Sequence, residues 1–176
     1  AFWIFPAMIL AGALGGWAWG MIPAVLRNWF GASEILVSLM LVYVAQKIAA
    51  WMAFGPMKNP EGFNFPGSRN LQQYEPASNP ELIAGTGIHW GVIAAVLALL
   101  VTWFIMSRHV LGFHIRTAGA APRAARFAGV RPERLVALCL GTSGALAGLA
   151  GLFEVAGPAG QITESFGSGY GFTAII

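Results

Sequence analysis

Four long apolar runs, at 1–26, 34–54, 88–106 and 135–153, alternate with shorter polar stretches along the chain. Each holds roughly the 20 residues that a helix rising 1.5 Å per residue needs to cross a hydrocarbon core about 30 Å thick. A spanning barrel would show short segments of strict apolar and polar alternation, and none is present. A helix also satisfies its own backbone in lipid, where an open chain finds no water. The pattern therefore predicts an all-α fold, a polytopic transmembrane helix bundle.

Small residues recur on helical faces within two of these runs. Gly12, Gly16 and Gly20 form a groove in the first; Gly141, Gly144, Gly148 and Gly151, with Ala137 and Ala145, form a second in the last. Such faces let membrane helices approach closely. Pro6 and Pro23 are expected to break or kink the first run. The stretch RNWFGAS supplies a boundary after it, with Ser33 as N-cap before Glu34. The chain opens on AFWIFPAMIL, without Met or a charged leader region, and closes on GYGFTAII, which resembles the opening turn of a further apolar segment. It is expected to be a fragment lacking both ends of a longer single-domain protein.

Composition agrees with the pattern: 57% of residues are apolar and 10% charged, and the mean hydropathy is +0.67. Asp is absent, and the net charge of +3 comes from Arg, not from a lysine tail that would suggest nucleic acid. The lone Cys139 allows no intrachain disulfide. Charge position orients the bundle. Arg27, Arg108, Arg116, Arg123, Arg126, Arg131 and Arg134 fall on one side, and Lys58 and Arg69 on the other. By the excess of basic residues in cytoplasmic loops, 107–134 is cytoplasmic and 55–87 is outside. The outer loop is rich in Pro, Gly and Asn, which predicts an ordered connection with at most short strands or turns.

Inside the Arg-rich loop, Pro122 suits the first helical position and Gly129 the left-handed position just past a helix end. A helix of about two turns is predicted between them. Ala124, Ala125 and Ala128 give it a nearly bare face, and Arg123 and Arg126 project together from another side. An ordinary positive-inside loop would account for the charge alone.

Few polar residues interrupt the apolar runs. Ser38, Tyr43 and Gln46 are candidates to line an aqueous path, since an intramembrane polar side chain usually faces the bundle interior. A local account competes: Ser38 bonding to a preceding carbonyl, and Gln46 and Lys47 reaching the interface. Glu34 gains from the helix dipole, and Glu154 lies at the outer end of its run. His89, His109 and His114 lack metal-ligand spacing, so no metal or other cofactor is expected in this chain. The match of GTSG, Gly141 to Gly144, to the G-x-S-G of rhomboid intramembrane proteases offers an alternative with Ser143 as nucleophile, but no His follows it. Neither Lys47 nor Lys58 is preceded by Gly as a phosphate-binding loop requires, so ATP hydrolysis is assigned to another chain.

The stretch GFHIRTAGAAPRAARFAGV resembles the cytoplasmic loop of binding-protein-dependent ABC importer permeases of the branched-chain amino acid, ribose and nucleoside group, at Gly112, Arg116, Gly119, Pro122, Ala124, Ala125, Ala128 and Gly129. It departs at Thr117 and at Ala121, where Asn is typical. GWAWGMIPAVLRNWFGASEILVSLMLVYVA, GPMKNPEGFNFPG, SGALAGLAGLFEVAG and GYGFTAI are similar to the nucleoside or simple sugar permeases of that group, with departures at Ser33, Val42 and Thr173. The resemblance implies a multi-pass cell-membrane permease. Its loop would dock on the ATP-binding subunit through Arg116, Gly119, Pro122, Arg123, Ala124, Ala125, Arg126, Ala128 and Gly129. A second permease subunit and an extracytoplasmic substrate-binding protein would complete the assembly, with ATP and Mg on the ATPase. Branched-chain amino acids are the alternative substrate within the group.

Overall fold

The computed structural model describes residues 3–60, 67–74, 77–79, 81–83, 85–163 and 170–173. Positions 61–66, 75–76, 80 and 84 of the outer loop lie outside the described residues, as do 1–2, 164–169 and 174–176. The elements are α1 (Ile4–Phe30), α2 (Glu34–Phe54), a 3₁₀ turn (Leu71–Gln73), β1 (Glu81–Ile83), β2 (Ile88–His89), α3 (Trp90–Arg108), α4 (Val110–Ala120), α5 (Pro122–Phe127), α6 (Pro132–Ala156) and the short α7 (Tyr170–Thr173). Four of these helices, α1, α2, α3 and α6, are long and apolar enough to cross a membrane. Large apolar side chains point outward, Met40 at 70% exposure and Leu99 at 69%, as befits a surface whose solvent is hydrocarbon.

The helix ends differ from the apolar runs because capping, not hydropathy, stops a helix. α1 continues past Arg27 to Phe30 and ends at Gly31, whose φ of 63° lets its N–H turn back to the Arg27 carbonyl. It passes through Pro23 without a break. α6 starts at Pro132, which needs no N–H partner there, and runs to Gly157, past the charged Glu133, Arg134 and Glu154 that truncate the hydropathy signal. Ser33 occupies the N-cap of α2, but its side chain makes no capping bond. Glu34 pairs instead with Arg27 across the turn, each charge at the helix end its sign favours.

The two glycine faces meet each other. A Cβ on Gly16 would lie 2.2 Å from the Gly144 carbonyl oxygen, one on Gly144 would lie 2.3 Å from the Gly16 oxygen, and one on Gly148 would lie 2.2 Å from the Gly12 oxygen. Gly20 faces the Leu140 carbonyl at 2.5 Å in the same way. The order of these contacts makes α1 and α6 antiparallel, and theirs is by far the largest interface in the chain. Gly141 sits under the Trp17 ring, whereas Gly151 has nothing within 4 Å and takes no part in the seam. α2 touches α1 only lightly, and α3 touches α6 only lightly.

At the end opposite the Arg-rich loop, β1 and β2 pair antiparallel, and the preceding loop docks on the chain leaving α6. Ser68 N donates to the Ile162 carbonyl (3.1 Å), Leu71 N to Gly160 (2.8 Å) and Asn79 N to Ala156 (2.8 Å). The Gln72 side-chain amide donates to the Gly157 carbonyl (2.7 Å).

Candidate functional site

A cavity of about 440 Å³ opens between α1, α2 and α6. Trp19 and Pro23 come from α1, Ser38, Val42 and Gln46 from α2, and Ser143 and Ala147 from α6. Ser38 and Gln46 therefore share one space, and Ser143 joins them from the facing helix. Tyr43 does not. It lies five residues beyond Ser38, roughly 140° further round at 3.6 residues per turn, and is 70% exposed on the outer side of α2 beside Lys47. Val42, the departure from the simple sugar and nucleoside pattern, stands in the cavity wall.

Several hydroxyls on the helices are taken up by their own backbone. Ser107, Thr117 and Thr142 donate to carbonyls four residues back, at Trp103 (2.6 Å), Phe113 (2.9 Å) and Leu138 (2.8 Å). This is the usual fate of a helical hydroxyl. Ser38 and Ser143 make no such bond among the described residues, and Gln46 likewise has no partner there. Their donors and acceptors are left for whatever enters the cavity. The wall holds one further acceptor. Pro23 has no N–H, so the Trp19 carbonyl lacks its helix donor. No charged side chain and no histidine line the space. Ser143 thus has no base beside it, as a nucleophile would require.

The end that carries the Arg-rich loop is built from two short helices, one more than the sequence pattern indicates. α4 begins at His109, whose Nδ1 accepts from Leu111 N (3.1 Å), so this histidine serves as a helix cap. Gly112 makes the sharp elbow with α3 possible, since a Cβ there would meet the Ile105 carbonyl oxygen at 2.4 Å and the Met106 Cα at 2.7 Å. Arg116 donates to the Met106 carbonyl at the exposed end of α3. It therefore ties α4 to α3, and the residue remains exposed. Gly119 has open space around it.

α5 has Pro122 at its start, and Gly129 beyond it has φ 80°. Ala121 caps it without a side-chain bond. Ala125 is wholly buried within the chain, so it does not belong to an outward bare face. Every other residue from Pro122 to Gly129 is exposed, Arg123, Ala124, Phe127 and Ala128 among them, with Phe127 95% exposed. Arg123 has no polar partner among the described residues. Arg126 turns sideways and pairs with Glu133 on α6 at 2.7 Å. The Asn28 amide of α1 donates to the Glu133 backbone carbonyl at 2.9 Å. Glu133 and Asn28 carry no signal in the sequence pattern, because their roles arise only when α1, α5 and α6 meet.

Four helices long and apolar enough to span a membrane, three of them walling an uncharged cavity that carries Ser38, Gln46 and Ser143, define a multi-pass helical membrane protein. The chain belongs to the family described as the permease component of the branched-chain amino acid transport system, which matches residues 1–176. It is 35% identical, over 98% of its length, to a glucose ABC transporter permease of Haloferax volcanii, of which it covers 47%. It is 31% identical, over 84% of its length, to a guanosine ABC transporter permease of Bacillus subtilis, covering 42% of that protein. A nucleoside ABC transporter permease of Lactococcus lactis subsp. cremoris is 29% identical over 85% of the chain, again with 42% covered. The chain thus spans less than half the length of these relatives. No solved structure shows significant similarity to it.

Proposed function

We propose that this chain forms part of the translocation path of an ABC importer for a nucleoside or simple sugar, moved by ATP hydrolysis on a separate subunit. The observation that carries the substrate class is the set of unpartnered Ser38, Gln46 and Ser143 side chains in a cavity without charge. A polyhydroxylated neutral solute exchanges hydrogen bonds with hydroxyls, an amide and a freed carbonyl, and the Trp19 ring offers its apolar body a flat surface. A branched-chain amino acid would bring an ammonium and a carboxylate into a space with no countercharge, which is costly. This favours the neutral solute over the amino acid.

On the cytoplasmic side, Phe127, Ala124, Ala128 and Arg123 form the surface that meets the ATP-binding subunit, which carries the ATP and Mg. The Arg-rich loop is placed in the cytoplasm by its charge. A second permease subunit and an extracytoplasmic binding protein complete the importer. The name of the family and the relatives' names support this assembly.

The test is uptake in cells carrying the full-length importer. Replacing Ser38 and Ser143 together by alanine removes two hydrogen-bonding partners, each contributing on the order of 1 kcal/mol. Uptake of labelled guanosine or glucose should fall about thirtyfold, with expression unchanged. Leucine uptake that is robust in the wild type, or solute uptake indifferent to both substitutions, would refute the assignment.

A further inference from the structure

We propose that Glu133 is a positioning residue that clamps α5 to the α1–α6 pair, so that displacement of α5 reaches the cavity wall through it. This rests on the reading of α5 as the docking helix. Glu133 is the one residue among those described that bonds to both neighbours. Its carboxylate accepts from Arg126 of α5 at 2.7 Å, and its backbone carbonyl accepts from Asn28 of α1 at 2.9 Å.

The link between α5 and α6 is otherwise a short turn around Gly129, whose φ of 80° marks a bend and not a rod. A helix held only by such a turn can tilt without moving its neighbour. The ion pair removes that freedom. The other attachment of α5 runs through α4 to α3, by way of Gly112 and Arg116. α3, however, contributes nothing to the cavity, whose walls are α1, α2 and α6. α3 and α4 touch α6 only lightly, and the route through Glu133 is the polar one that joins α5 directly to the α6 wall.

Beyond Glu133 the movement is carried by a stiff unit. The glycine seam brings the backbones of α1 and α6 into contact over the length from Gly12 to Gly20, so the two helices shift together. α2, which touches α1 only lightly, carries Ser38 and Gln46 on the opposing wall and joins α1 through the Gly31–Ser33 turn and the Arg27–Glu34 pair. Displacing α1 and α6 relative to α2 changes the distance between Ser143 and Ser38. The exposed ion pair contributes little to stability, so its loss should leave folding intact and affect transmission.

The experiment uses the full-length permease, reconstituted with its ATPase subunits and binding protein in liposomes, and reads solute imported per ATP hydrolysed. Glu133→Arg sets two guanidinium groups against each other. The complex should assemble and retain basal hydrolysis within about twofold, while solute moved per ATP falls at least about fivefold. The double exchange Arg126→Glu with Glu133→Arg should restore the ratio to within about twofold of wild type, which a general structural defect would not allow. A normal ratio in Glu133→Arg, or no recovery in the double exchange, overturns the clamp. Failure of the docking reading has a different signature: Phe127→Asp then assembles with the ATPase as wild type does. Failure of the clamp alone leaves Phe127→Asp defective and Glu133→Arg normal.

Discussion

Replacing Gly144 by valine in the full-length protein should abolish the folded bundle. A Cβ at that position falls 2.3 Å from the Gly16 carbonyl oxygen and 3.0 Å from the Gly20 Cα, both backbone atoms that cannot step aside. Valine adds two further methyl groups, so the α1–α6 seam must open along its length. Overpacking of a closed contact costs about 3 kcal/mol or more, and separation also forfeits the contacts that hold the largest interface in the chain. Gly15, on the same helix as Gly16, has nothing within 4 Å. Gly15→Ala should keep or slightly raise stability, since alanine is the better helix former by about 1 kcal/mol. Thermal unfolding in detergent, followed by size-exclusion chromatography, distinguishes the two. Wild-type behaviour of Gly144→Val would show that the seam does not exist in the membrane.

Phe127→Asp should remove the ATPase subunit from the complex. An aromatic ring that is 95% exposed at the tip of a short helix in the Arg-rich loop has no packing role inside the chain. Rings in that position are typical anchors of an interface, where truncation commonly costs about 2 kcal/mol or more, some thirtyfold in affinity. A carboxylate adds desolvation to that loss. Because the site is outside the bundle, insertion and folding should be unaffected. Co-purification of the tagged permease with its ATPase reads the result, and undiminished recovery of the ATPase would show that α5 docks on nothing. Ala125→Glu is not an equivalent experiment. Ala125 is fully buried on the inner side of α5, so the substitution disrupts the loop itself.

Hydropathy made the four spanning helices legible because lipid imposes a single length and composition on any helix that crosses it. It places α2 at both its ends and misses the ends of the other three by a few residues, since residues such as Gly31, Pro132 and Gly157 determine where helices stop and hydropathy does not register them. The glycine faces were visible in the spacing of Gly12, Gly16 and Gly20 and of Gly141, Gly144 and Gly148. That they face each other depends on the antiparallel placement of helices over a hundred residues apart. α4 escaped notice because His109 is an uncommon cap and Gly112 and Gly119 suggest a loop. Gly112 is required by the close approach of the α3 backbone, and glycine for close approach looks like glycine for flexibility in a one-dimensional reading.

Polar residues were the hardest to assign. Ser38 and Gln46 were singled out because they are polar in lipid, and the same criterion selected Tyr43, which lies on the far face of α2. Ser143 invited a protease reading from four letters, yet in space it stands opposite Ser38 with no histidine lining the cavity. Arg116 matches a docking motif, and the structure adds a bond from its guanidinium to the end of α3 that the motif does not register. In each case the residue type was informative and its direction was not.

The cavity between α1, α2 and α6 as a solute path is tested most directly by thiol accessibility. In the full-length importer with Cys139 replaced by alanine, Ser143→Cys places a single reactive group on the α6 wall of that cavity. The account predicts that a small hydrophilic thiol reagent modifies it, and that guanosine or glucose supplied through the binding protein slows the reaction severalfold while leucine does not. A thiol that ignores hydrophilic reagents and reacts only with membrane-soluble ones would show that Ser143 faces lipid, and would contradict the account.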